Sequence, residues 1–188
     1  MSIDQTNDSA NEIAFSEQDQ QWMRYALELA AKGEAIGEVP VGAVIVQDGA
    51  IIGEGFNQPI SSHDPTAHAE IIALRQAAAH RQNYRLIGST IYVTLEPCTM
   101  CVGALVHARI TRLVFGTAES KAGAVISKAR LLESEHFNHR VDFAGGLMAQ
   151  QCQHQLSHFF AMRREQKRKE KQERGVTDFT GGDDSEAR

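Results

Sequence analysis

Cysteine is scarce in this chain of 188 residues. Only Cys98, Cys101 and Cys152 are present, an odd set. With no Lys/Arg-led apolar stretch at the start, that excludes a secreted disulfide scaffold and leaves no disulfide partner to expect. Long apolar runs are also missing: the longest are a few residues, against the ~20 that a bilayer-spanning helix needs. No membrane segment is expected, and the chain reads as cytoplasmic. There is no internal repeat. What is present is an ordinary globular mixture, 42% hydrophobic and 23% charged, sufficient for one domain with a real core.

An excess of positive charge is lacking too, since the formal net charge is −5. Taken alone, that argues against a polyanionic partner, but the charge is unevenly distributed. Residues 1–19 hold five acids and no Lys or Arg, and residues 175–188 hold four acids against Arg188. Residues 163–174 carry seven bases against three acids. This division predicts a disordered leader at 1–15, a folded domain at 16–162, a basic helical extension at 163–174 and an acidic disordered tail at 175–188.

Local patterns predict a helix opening at Ser16, where Asp19 completes a weak capping box and apolar residues recur up to Gly33. Val41 to Val46 and Ala50 to Phe56 read as two antiparallel strands joined by the Asp48-Gly49 turn. Asp64-Pro65 predicts the start of a second helix ending near His80. Thr90 to Leu95 is a third strand, Cys98 to Arg109 a third helix and Leu113 to Phe115 a fourth strand. Val141 to Phe143 is a short fifth strand, and a last helix runs from Leu147 into the basic segment. The alternation of strand and helix in the second half implies parallel pairing, with helices on both faces of the sheet.

The chemistry concentrates in His68-Ala69-Glu70 and in Glu96-Pro97-Cys98-Thr99-Met100-Cys101. Two cysteines three apart at a helix start share a face, and the positive helix end favours their thiolates. With a histidine they suit a soft tetrahedral ion, zinc, one per chain. His68, Cys98 and Cys101 make three ligands and leave the fourth position open, as a catalytic site requires. That gives Glu70 a role, because a carboxylate beside activated water can take its proton and hand it to a leaving amine, which describes hydrolytic deamination. Two other readings stay open. A C-x-x-C pair also serves redox motifs, and Cys152 would complete a closed structural site in which Glu70 is only a surface charge.

His68-Ala69-Glu70 with Pro97-Cys98-x-x-Cys101 matches the signature of the zinc deaminases. Further segments resemble the bacterial tRNA-specific adenosine deaminases: Glu38-Val39-Pro40-Val41-Gly42-Ala43, Gly53-Glu54-Gly55-Phe56-Asn57, His63 through Glu70, Asn83-Tyr84-Arg85-Leu86 and Tyr92 through Cys98. The likeness spans residues 16–170. It implies a cytidine deaminase-like fold, three-layer α/β/α around a mixed five-stranded sheet, and a homodimer. It also implies conversion of the wobble adenosine of an arginine tRNA anticodon to inosine, with the anticodon stem-loop as partner. By the same resemblance Glu70 shuttles protons, Asn57 touches the nucleoside, Glu119 and Lys121 lie in a nucleotide-contacting loop, and Val39 is a further substrate-binding candidate. This chain has Glu119-Ser120-Lys121 where the family commonly has Asp two residues before Lys, and Ala118 where Arg is frequent.

Each of these has a plainer reading: Asn57 as a turn former, Glu119 as a solvated loop acid. Arg163, Arg164 and the bases after them are expected to meet RNA phosphates, since the patch stands out against an acidic body. Phe159 and Phe160 are expected to pack. The histidines other than His68 read as surface or core-satisfied, and Met100 and Met148 as core filler. A deaminase of free bases or nucleotides shares the zinc motif without needing the basic segment, and a structural zinc module would show no turnover.

Overall fold

The computed structural model describes residues 15–177. Most of the expected leader (1–14) and of the acidic tail (178–188) lies outside the described residues. Ser16 and Asp19 form the reciprocal cap of α1 (Glu17–Ala35), each side chain accepting the other's backbone N–H at 3.0 Å. Phe15, expected in the leader, instead packs against the core.

β1 (Gly42–Gln47) and β2 (Ala50–Phe56) pair antiparallel through Asp48 and Gly49, whose φ values of 53° and 75° suit the two-residue turn. β3 (Thr90–Leu95) lies antiparallel to β1, while β4 (Arg112–Thr117) and β5 (Asp142–Gly145) add in parallel. The order is β2-β1-β3-β4-β5, a mixed five-stranded sheet.

Alternation along the strands builds two cores. Ala43 and Ile45 of β1 and Ile91 and Val93 of β3 face α3 (Ala69–Arg81) and α4 (Thr99–His107). Val44, Val46 and Tyr92 point the other way, with Met23 and Leu29 of α1 and Cys152 of α5 (Ala149–Thr177). The result is the three-layer α/β/α arrangement. The expected basic extension is continuous with α5, and the helix runs three residues beyond its anticipated end. Phe159 is buried as expected, but Phe160 is 45% exposed. Among the described residues no helix is long and apolar enough to cross a membrane.

The second long helix starts later than its N-cap signal suggested. The backbone N–H and hydroxyl of Thr66 donate to Asp64 Oδ1 at 2.8 and 2.7 Å, so the carboxylate closes an Asx turn instead of capping a helix. α3 begins at Ala69, after the short α2 (Pro59–Ser62) and an irregular stretch. Gly55 permits that start to rest on β2, because a Cβ there would come within 2.6 Å of the Ala69 carbonyl oxygen.

Candidate metal centre and substrate clefts

Two helix N-termini converge, and in both the N-cap position is occupied by a candidate ligand. His68 precedes α3 and Cys98 precedes α4, and neither side chain makes a capping hydrogen bond. The first N–H of α3 is served from elsewhere: Ala69 N–H donates to Asn57 Oδ1 at 3.0 Å. That bond fixes the amide orientation of Asn57 at the end of β2 and leaves its Nδ2 hydrogens available. The ring of His68 and the thiol of Cys98 are thereby free to turn to one another.

The three candidate ligand atoms form a near-equilateral triangle. Cys98 Sγ and Cys101 Sγ are 3.7 Å apart, and His68 Nδ1 lies 3.7 Å from the first and 3.6 Å from the second. A tetrahedral zinc with bonds of ~2.3 Å to sulfur and ~2.0 Å to nitrogen needs edges of about 3.8 and 3.5 Å. The donor set and its spacing fit zinc, with Nδ1 as the ligating nitrogen. It is the one such cluster among the described residues. Cys152 lies elsewhere, in the core on the opposite face of the sheet, so the closed site of three cysteines and one histidine does not form.

Of the two candidate thiol ligands, Cys98 is the one whose ionised form the surroundings favour. The hydrogen bond from the Cys101 thiol, with help from His68, outweighs burial and pulls the Cys98 thiol down to about 4. Cys101 is pushed up as the donor of that pair and by its burial. Glu70, in the first turn of α3 and 4% exposed, is pushed above the usual carboxylate range by burial, against the pull of backbone N–H and of His68.

The remaining sequence-selected residues line two adjoining clefts. One, of about 280 Å³, is bounded by Val39, Ile60, Phe160, Arg163, Arg164 and Lys167 among others. The second, of about 310 Å³, contains Glu119 and Lys121, and Val39 and Phe160 line it as well. Val39, Glu119, Lys121 and the two arginines, far apart in the chain, thus share one surface. Lys167, one of the bases expected to meet phosphates, lines the first cleft, and Phe160, expected to pack, lines both.

Sequence reasoning gave no role to two buried acids, Glu38 and Glu96, although it quoted the segments that hold them. Glu38 accepts the Ser61 N–H at 2.6 Å, tying the entry to β1 to α2. Glu96 accepts hydrogen bonds from Glu119, Val125, Ile126 and Ser127. Neither has a local signal, because each carboxylate finds its partners 23 or more residues further on. Of the other histidines, His139 reaches the Ile110 carbonyl oxygen at 2.8 Å, and His63, His80, His107, His136, His154 and His158 lie wholly or partly exposed.

Residues 16–117 match the family described as the cytidine and deoxycytidylate deaminase zinc-binding region. A tRNA-specific adenosine deaminase of Haemophilus influenzae is 57% identical over 157 residues, 83% of this chain and 91% of that protein. A structure from studies of A-to-I editing by tRNA:A34 deaminases at the wobble position is 40% identical, with a TM-score of 0.71 over 72% of this chain and 99% of that one. A guanine deaminase from Nitrosomonas europaea, 24% identical with a TM-score of 0.64 over 76% of this chain and 84% of that one, shares the fold.

Proposed function

This chain belongs to the tRNA-specific adenosine deaminases of the cytidine and deoxycytidylate deaminase zinc-binding family, and from that we propose that it hydrolyses adenosine to inosine at the wobble position of a tRNA anticodon, that of an arginine tRNA. The observation that carries this reading is the ligand triangle of His68, Cys98 and Cys101 with Glu70 buried beside it.

Zinc, when bound, supplies a Lewis acid that makes water nucleophilic at neutral pH. Glu70 takes a proton from the attacking water, delivers it to the purine ring nitrogen next to the reacting carbon, and passes the following one to departing ammonia. A raised carboxyl pKa suits an acid–base group of this kind. Asn57 directs Nδ2 to the base while Oδ1 holds α3, and Val39 packs against the nucleoside. Glu119 accepts from a ribose hydroxyl and Lys121 lies close to the backbone of the loop nucleotide. Arg163 and Arg164, beside Val39 in the first cleft, neutralise anticodon-stem phosphates.

The target base is turned out of a single-stranded loop, since its reacting carbon is out of reach in a stack. The enzyme works as a homodimer. Supporting this is an apolar groove of about 270 Å³ between α3 and α4, with Leu74, Ala78, Tyr84, Ala104 and Ala108 in its lining. It works in the cytoplasm, where tRNA is found and thiols such as its three free cysteines stay reduced.

The test is to incubate the purified zinc-loaded protein with unmodified arginine tRNA bearing adenosine at the wobble position and to read inosine by sequencing. Inosine at that position alone is expected. Ammonia released from free guanine or cytosine, with no inosine in the tRNA, would sink the proposal.

A further inference from the structure

Glu96 is the last residue before the Pro97-Cys98 turn, and its side chain is buried, the residue being 2% exposed. Buried carboxylates need partners, and this one gathers all of them from a single loop. Its Oε1 accepts the N–H groups of Val125, Ile126 and Ser127 at 3.0, 2.7 and 2.9 Å. Its Oε2 accepts the Glu119 N–H at 2.9 Å and the Ser127 hydroxyl. Five donors on one carboxylate use all of its acceptor directions.

The loop is shaped to wrap this group. At Gly123 a Cβ would run into the Glu96 carboxylate, so a side chain there would drive the loop away. Around it the backbone is stitched to the metal-bearing turn: Ala124 N–H donates to the Pro97 carbonyl at 2.9 Å, and Cys98 bridges Gly123. Glu119, anchored through its own N–H, accepts the Lys121 N–H on its carboxylate at 2.8 Å.

We propose that Glu96 is a positioning residue for the reaction, whose buried carboxylate sets the 119–127 loop against the Cys98 turn so that the substrate-facing groups of the loop keep a fixed distance from the metal ligands. The proposal rests on the reading that Glu119 meets the substrate. A charge-assisted acceptor is required because four backbone N–H groups converge on this one carboxylate. A neutral amide in its place would present its own N–H groups to those donors and release part of the loop.

The experiment compares Glu96→Gln, Glu119→Ala and the double variant with the parent. Each is measured for zinc content, for kcat and KM on an anticodon stem-loop with wobble adenosine, and for amide exchange at positions 119 and 125–127. Expected for Glu96→Gln are full zinc, faster exchange at those amides, and a KM raised roughly tenfold with kcat within about twofold, the size of a lost charged hydrogen bond. In the Glu119→Ala background the same change should move KM by less than about twofold, because the two residues act through one contact. An equal rise of KM in both backgrounds, or none in either, overturns the proposal alone. An unchanged KM in Glu119→Ala overturns the substrate reading of the loop, and this proposal with it. Should Glu96→Gln not fold, Ser127→Ala removes one hydroxyl donor, and the same coupling to Glu119 must then appear at smaller size; its absence overturns the proposal.

Discussion

The Asp19 carboxylate meets the Arg112 guanidinium at 2.7 Å, linking the first turn of α1 to the start of β4 across 93 positions. The same carboxylate accepts the Tyr92 hydroxyl at 2.8 Å while serving as the cap of its own helix. Burial pushes the Asp19 carboxyl up, but Arg112, Tyr92 and Ser16 together outweigh it and hold it at about 2.

Because this folded value lies below that of an unfolded aspartate, Asp19 stabilises the fold fully above the unfolded value of about 3.9, and the contribution fades as pH falls through 2. Asp19→Asn should therefore cost roughly 2 kcal/mol at pH 7. The difference from the parent should shrink between about pH 5 and pH 2. Urea unfolding at about pH 7, 5 and 3 checks this, and a difference independent of pH would show that the charge is not what matters.

Metal content separates the roles assigned around the ligand triangle. Glu70→Ala should abolish deamination and keep about one zinc per chain, since Glu70 is no ligand. Cys98→Ala and Cys101→Ala should lose zinc and activity together, because two protein ligands hold the ion poorly. Cys152→Ser should keep both and lose roughly 1–2 kcal/mol of stability, as a hydroxyl replaces a thiol buried in the core. Zinc loss from a folded Glu70→Ala protein would contradict the assignment.

Asn57 has two hands, and two substitutions tell them apart. Asn57→Asp keeps an acceptor for the Ala69 N–H and removes the Nδ2 donors, so zinc and melting temperature should hold while KM rises. Asn57→Ala leaves that N–H without its partner and should in addition cost about 1 kcal/mol. If Asn57→Asp bound substrate as the parent does, the amide would have only its structural role.

Replacing Arg163, Arg164 and Lys167 together by alanine should weaken tRNA binding and flatten its salt dependence. For every phosphate left without its cation, the slope of log affinity against log salt falls by roughly 0.7–0.9. Zinc content should not change, because these side chains sit on an exposed turn of α5 beyond the buried Phe159. An unaltered slope would make the segment an ordinary solvated helix face.

The sequence by itself determined what depends on neighbours in the chain. The Ser16 cap, the Asp48-Gly49 hairpin, the strand patterns of Val41 to Val46 and Thr90 to Leu95, and the spacings His68-x-Glu70 and Cys98-x-x-Cys101 are short-range chemistry. The motifs came with a family resemblance as well, which supplied the mixed sheet. Only the tertiary structure decided which signals win where several compete. Asp64-Pro65 looked like a helix start, yet the Thr66 donors and the Asn57 bond to Ala69 moved that start to the candidate ligand His68. Phe15 and Asp19 acquired partners in the core and on β4, and Cys152 fell on the face of the sheet away from the candidate metal ligands. Glu96 stood in the motif without a role, and its loop partners follow 23 to 31 residues later. A buried charge is set by whichever donors the fold brings to it, and no local period or turn preference encodes a meeting at that range.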